Sequence, residues 1–375
     1  MLSNLLRTNS RCRCNQLCWS WPYSECQLVL SILIKLHRWL GLFFGLWLVL
    51  VALTGTLLLY KVELLQWTYP QLKLQQIPTQ ATAAEVFDRY QEGYAYLPRD
   101  ANPWLEIVMP NGVRHYYNDQ GEHILARPYL GDWISVMVEF HHHLLLHDLG
   151  KDLLGYLGIA GLILLITGLI RWWPRHWSRR LLSVRWVWPW QRGFAATLFQ
   201  LHKVVGSLLF LPLLVGILTG TAIMYAAAVS SGLTALWPNQ QQQPITADQW
   251  RTVAAAHSWQ QRFERAQQLL PEHQPQLVSL SNLSMRLTFP GEWHPNGRSH
   301  VQFDAKTGAV TSVYDLRYDS RGYQVSQMIF PVHIAAVGGL GWFIVVLMGG
   351  LALVLLPLTG IYFWGWRQFK QRARR

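Results

Sequence analysis

The chain has 375 residues, of which 51% are hydrophobic and 14% charged, with 20 Trp and a formal net charge of +12. That balance lies outside the range of soluble globular domains and points to an integral membrane protein. Of the 32 Lys and Arg, 17 fall in three segments that together hold one acid, Glu25, so the basic excess reports membrane orientation and calls for no nucleic-acid partner.

In chain order, residues 1–34 carry all four cysteines, Cys12, Cys14, Cys18 and Cys26. They could ligate zinc or an iron–sulfur cluster. No second set of ligands follows at finger-like or ferredoxin-like spacing, so the segment reads as a cytoplasmic extension. No small-residue cleavage site closes an apolar region before His37, which argues against a signal peptide.

Residues 35–60 form the first predicted span, with its apolar run from Trp39 to Tyr60. Residues 61–139 are an outside module with a helix over Thr82–Tyr90, a strand over Trp104–Met109, a turn at Pro110-Asn111-Gly112 and a strand pair around Asn118–Gly121. A second span with an outside extension covers 140–172, its apolar run being Leu153–Ile170. The loop 173–200 is dense in Trp and Arg, including Arg171-Trp172-Trp173-Pro174-Arg175 at its start and Trp186–Trp190. It reads as an interfacial aromatic belt rather than a docking patch for an electron donor.

A third span occupies 201–226, with its apolar run from Val204 to Tyr225. The second outside module, 227–330, opens on a polar linker (Asn239–Pro244). It continues with a helix over Ala247–Leu270, strands over Ser284–Phe289 and His300–Phe303, and a turn at Asp304–Gly308. The fourth span covers 331–366, its apolar run Gly338–Tyr362, and a basic tail covers 367–375. Each run suffices for a hydrocarbon core of about 30 Å. The charge asymmetry places both termini and the 173–200 loop in the cytoplasm and both modules outside. The expected fold is thus a membrane α-helical protein of four transmembrane helices in two tandem repeats, with two small α+β modules.

The repeat is carried by one phrase used four times, a histidine followed by a Thr-Gly: His37 to Thr54-Gly55, His141 to Thr167-Gly168, His202 to Thr219-Gly220, and His333 to Thr359-Gly360. The intervals are 17, 26, 17 and 26 residues, and offsets of 165 and 192 superimpose the halves. An ionisable side chain beside a span is a functional candidate because its burial is costly. Imidazole is an axial ligand of haem iron, and helix bundles hold such cofactors between facing helices. The duplication therefore predicts two pairs, His37 with His202 at the cytoplasmic ends and His141 with His333 at the outer ends.

A straight helix would spread 17 residues over about 26 Å and 26 over about 39 Å, with kinks at Pro212 or Pro357 or a break near Gly150 as ways to shorten the second distance. At the second phrase His141, His142, His143 and His147 compete. The offset selects His141, whereas His143 and His147, four apart, would share a helical face able to bind a metal ion. The Thr-Gly pairs read as helix packing, with the absent side chain also making room for a porphyrin. His115, His123, His294 and His300 read as surface residues, and Arg89, Arg114, Arg286 and Arg298 as cations that could meet an anionic substrate, none singled out. No phosphate-binding loop, dinucleotide fingerprint, zincin motif or nucleophile elbow occurs in a suitable context, so catalytic residues are unassigned and electrons must come from a cytoplasmic protein or quinol.

Several motifs together resemble the PepSY-associated transmembrane family, iron-regulated inner-membrane proteins that include haem-dependent siderophore reductases. The likeness is carried by Leu36-His37-Arg38-Trp39-Leu40-Gly41, His141 with Leu144-Leu145-Leu146 and Gly150-Lys151, Thr167-Gly168-Leu169 with Trp172-Trp173-Pro174-Arg175, Leu201-His202 with Thr219-Gly220, and His333 with Thr359-Gly360. Phe303-Asp304-Ala305-Lys306-Thr307-Gly308 resembles part of a PepSY domain, making both modules PepSY-like. The resemblance implies a bacterial inner-membrane protein holding two haem b groups and reducing a periplasmic ferric siderophore or related chelate, with membrane lipid around it. A non-enzymatic alternative is an accessory or regulator in metal uptake. The cysteine-bearing N-terminus and the extra His142, His143 and His147 depart from the family pattern.

Overall fold

The structure is a computed structural model that describes residues 23–100, 102–173 and 193–373. Cys12, Cys14, Cys18, the Cys26 side chain and the Trp/Arg loop over 174–192 lie outside the described residues. In chain order the elements are α1 (Tyr23–Leu58), α2 (Lys61–Thr68), α3 (Gln80–Phe87), β1 (Tyr94–Tyr96), β2 (Leu105–Val108), β3 (Arg114–Tyr117), β4 (His123–Arg127), α4 (Trp133–His143) and α5 (His147–Trp172). There follow α6 (Phe194–Leu208), α7 (Phe210–Met224), α8 (Ala226–Leu236), α9 (Ala247–Arg251), α10 (Trp259–Leu269), β5 (Gln274–Ser279), β6 (Ser284–Thr288), β7 (Ser299–Phe303), β8 (Val310–Tyr314), α11 (Arg321–His333) and α12 (Gly339–Arg372).

Among the described residues α1, α5 and α12 are long and apolar enough to cross a membrane, and α6 with α7 makes a fourth if that pair, bent by 69°, is one span. The bend follows from Pro212, which has no N–H to donate to the Leu208 carbonyl four residues back and whose ring crowds it. Pro357, the other expected kink site, lies within an unbroken α12.

The chain forms two compact units. In the first (Met1–Leu53, Tyr156–Leu218, Met348–Arg375), helices pack through small residues. A Cβ at Gly45 would sit 3.3 Å from Pro357 and Ile361, and one at Gly349 would sit 3.3 Å from Pro212. Large apolar side chains such as Phe43 and Leu211 face outward, as lipid contact requires.

In the second unit (Thr54–Gly155, Thr219–Leu347), the two expected modules are one body. Eight antiparallel strands run in the order β4-β3-β2-β1-β5-β6-β7-β8, with Ala95 opposite Val278 at the central β1–β5 pair. Each module alone would leave β1 or β5 as an open edge, and pairing the two satisfies both rows of backbone groups. These two strands are missing from the sequence reading, along with β8. β1 has three residues and β5 carries Pro275 at a register shift, so neither shows a legible alternation.

One sheet face is covered by α3 and α10, which bury Phe87, Trp259 and Phe263. The predicted helix over Ala247–Leu270 is in fact α9 and α10, because Ser258 and Gln261 form a capping box that starts a new helix.

On the opposite face, Leu65, Trp104, Tyr116, Ile134 and Met137 cluster beneath α2 and α4. There Asp132 caps α4 and is gripped by Arg127 through two bonds of 2.8 and 3.0 Å. Tyr69 donates to the same carboxylate. Burial alone would raise the Asp132 pKa, but the Arg127 bonds and the Ser135 N–H outweigh it and bring it down to about 2. Asp132→Ala is expected to destabilise the protein by about 3–5 kcal/mol, since it strands a buried guanidinium and removes a cap. Thermal unfolding checks this. A depressed carboxylate contributes fully above its unfolded pKa of about 3.9 and loses its effect as pH falls toward about 2, so the difference from wild type should shrink over that range.

Candidate functional site

The four histidines are held in two pairs, each within one unit. In the first unit the rings of His37 and His202 lie 6.4 Å apart at 89°. In the second, His141 and His333 lie 6.4 Å apart at 25°. These are the pairs that the sequence offsets define.

Each imidazole is seated by a Thr-Gly from the other phrase of its own half. His37 Nδ1 lies 3.0 Å from Thr167 Oγ1 and 3.1 Å from the Leu164 carbonyl. His202 Nδ1 lies 3.0 Å from both Thr359 Oγ1 and the Leu356 carbonyl. His141 Nδ1 is 3.3 Å from Thr54 Oγ1, and His333 Nδ1 is 3.0 Å from Thr219 Oγ1. The offsets of 165 and 192 relate these bonds as they relate the motifs.

The carbonyls decide the tautomer at His37 and His202. A carbonyl oxygen only accepts, so Nδ1 carries the proton and donates. The Thr hydroxyls spend their own protons on the helix backbone, Thr167 on Ile163 at 2.7 Å and Thr359 on Leu355 at 2.9 Å, and so accept from the imidazoles. In the neutral ring Nε2 then carries the lone pair a metal requires. An Nδ1–H bound to a carbonyl is the usual second layer around a metal-ligating histidine.

The glycines make room for the rings. A Cβ at Gly55 would meet His141 Cε1 at 2.5 Å, at Gly220 His333 Cε1 at 3.0 Å, at Gly168 His37 Cε1 at 3.1 Å, and at Gly360 His202 Cε1 at 3.7 Å. The Thr-Gly pairs thus pack as expected, but the space they leave is filled by imidazole, and the threonines orient it. The recurrence of Thr-Gly with every histidine was the sequence signal for this role. Its partner could not be read, because the bonds run between segments 87 to 157 residues apart.

The distance between ring centres is the one a shared metal atom would require if both Nε2 atoms faced it. Two metal–imidazole bonds of about 2.0 Å, with about 1.1 Å from nitrogen to ring centre on either side, give centroids about 6.2 Å apart, against 6.4 Å in both pairs.

The remaining histidines fall elsewhere. His141 and His333 do not start their spans; they lie in the last turns of α4 and α11. Left-handed residues follow, Leu144 (φ 50°) and Leu145 (φ 61°) after α4 and Ala335 (φ 56°) after α11. The straight-helix count of 26 residues therefore does not apply. The break lies at Leu144–Leu146, and Gly150 permits it, since a Cβ there would overlap the His143 carbonyl. The helical face expected to join His143 and His147 is not formed, because His143 ends α4 and His147 begins α5 across that break. His143 instead meets Glu139 at 3.1 Å, and His142 and His147 are exposed. Among the described residues no group of three or more His, Cys, Asp or Glu is arranged to hold a metal ion. His294, expected at the surface, is buried and stacked on Phe330 of α11.

A family model described as the PepSY-associated TM region matches residues 34–367. No curated protein matches the chain.

Proposed function

The chain belongs to the PepSY-associated transmembrane family, and from that premise we propose that it is a haem-b oxidoreductase of the bacterial inner membrane. In this reading four spans in two tandem repeats carry electrons from a cytoplasmic donor or quinol to a periplasmic ferric siderophore or related iron chelate. The observation that carries it is the pair of equivalent bis-imidazole seats, each with 6.4 Å between rings and every Nδ1 engaged by a threonine.

His37 and His202 would hold one haem, His141 and His333 the other. Bound haem iron supplies one-electron transfer without proton chemistry. The protein's part is to keep the ligands neutral, fix their rings and limit water. Accepting the Nδ1 proton on a carbonyl and a threonine strengthens Nε2 as a donor and sets the ring plane. In this reading the positive-inside pattern orients the His37/His202 pair toward the cytoplasm and the His141/His333 pair toward the periplasm. At the periplasmic side one electron converts the substrate's Fe³⁺ to Fe²⁺, which hard oxygen ligands hold less tightly, freeing the metal for uptake.

An absorption spectrum of purified protein, oxidised and dithionite-reduced, tests the reading together with haem stoichiometry. Two six-coordinate b-type haems per chain are expected. Colourless protein after expression with ample haem, above all with a stable co-purifying protein partner, would overturn it.

A further inference from the structure

The polar face of the sheet carries different charges in its two halves. On β2, Glu106 stands opposite Tyr116 of β3. On β6, Arg286 stands opposite His300 of β7. Both positions follow a buried core residue, Leu105 or Met285, and point away from the face that α3 and α10 cover. Two residues before each cross-strand partner lies an arginine, Arg114 or Arg298. In the first half the diagonal neighbours are an ion pair, Arg114 with Glu106. In the second, the exposed Arg286 on β6 and the half-buried Arg298 just before β7 are two guanidinium groups with no ion pair among the described residues.

None of these guanidinium groups has a carboxylate of the described residues within ion-pair distance. Among the described residues Arg114, Arg127 and Arg317 have ion pairs, whereas Arg99, Arg286 and Arg298 have none. Arg99 joins the cluster by donating to the Pro295 carbonyl in the β6–β7 connection. Buried atoms around it lack hydrogen-bond partners: Arg99 Nε, Arg298 Nε, Glu292 Oε1 and Asn296 Oδ1. The acid whose field reaches Arg298 is Glu292. Its pKa is pushed up to about 7 by burial against the opposing Phe289 and Arg298 N–H groups, so it carries only part of its charge at neutral pH. Burial and the fields of Arg298, Arg286 and Arg99 hold the His294 pKa down to about 3, leaving that ring neutral. Like charges on neighbouring strands are destabilising, and buried guanidinium nitrogens without acceptors are costly.

We infer that Arg99, Arg286 and Arg298 form a binding site for an oxyanion, a carboxylate or phosphate group. Guanidinium forks suit such groups because they present paired N–H donors to two oxygens. This site stands whatever the imidazole pairs hold, and its test does not involve them.

The full-length protein in detergent is titrated with inorganic phosphate and, separately, with citrate, by calorimetry and thermal unfolding, against sodium chloride at matched ionic strength. At least one probe should bind and raise the melting temperature beyond the chloride control. Binding by phosphate alone would mark a phosphate ligand, and by citrate alone a carboxylate. Arg286→Glu supplies a carboxylate to the remaining guanidinium groups, so it should melt higher than wild type without anion and lose the anion-dependent rise. Arg298→Gln, which keeps the size of the side chain nearer to native, should weaken binding by about tenfold or more, as expected for a lost charge-assisted hydrogen bond. No rise with either probe in wild type, or an undiminished rise in both variants, would overturn the inference.

Discussion

His37→Ala or His202→Ala is expected to yield protein with about half the wild-type haem, the remainder being held by His141 and His333. The loss should be complete at the affected pair, because His37 and His202 lie 6.4 Å apart and a six-coordinate haem needs both. Haem per polypeptide by pyridine haemochrome, with size-exclusion profiles as a folding control, reads the result. Electron transfer from a cytoplasmic-side donor to a periplasmic ferric chelate should stop in the same variants, since one of two relay sites is gone. Removing only the orienting hydroxyl, as in Thr167→Val or Thr359→Val, should be milder. A lost second-layer bond commonly weakens a metal site by about 10–100-fold. Full haem occupancy in His37→Ala would show that the pair is not a ligand set.

Gly55→Ala carries the second large effect. A Cβ placed there meets His141 Cε1 at 2.5 Å, closer than real contacts allow, so the ring or its helix must move and the second pair should lose its haem. The same substitution at Gly360 brings the Cβ to 3.7 Å from His202, ordinary contact, and should leave haem intact. There the replacement should stabilise α12 by up to about 1 kcal/mol, through helix propensity alone. Gly220→Ala and Gly168→Ala, at 3.0 and 3.1 Å, should fall between. Haem content across the four variants should therefore rank by these distances. Equal losses at Gly55 and Gly360 would mean that the glycines act through something other than room for the imidazole.

The charge difference between the sheet halves shows what duplication leaves free. The helical frame repeats bond for bond at the imidazole seats, whereas the sheet keeps its bulges and alters its chemistry: Glu106 faces Tyr116 before the bulge in one half, and Ser284 faces Gln302 before the bulge in the other. The seats are bound by geometry, since ring, hydroxyl and missing Cβ must fit together in each copy. The sheet's second face is bound only by the alternation of strand residues, which any polar side chain satisfies.

Some of this was legible in the amino-acid order alone. Apolar runs of sufficient length, with basic charge gathered in three segments, identify a membrane protein without reference to packing, because lipid imposes length and polarity on each span separately. The offsets of 165 and 192 likewise pair His37 with His202 and His141 with His333, because duplicated chains fold alike. Tertiary structure decided what depends on distant partners. Helix periodicity cannot show that Thr167 receives the proton of His37, 130 residues away, or that Gly55 is small for the sake of His141. It also cannot show that α4 stops at His143, where left-handed residues at Leu144 and Leu145 outweigh an apolar pattern that would continue the helix. The joining of two modules into one sheet rests on β1 and β5, strands too short or too interrupted to declare themselves, whose open edges are satisfied only by each other.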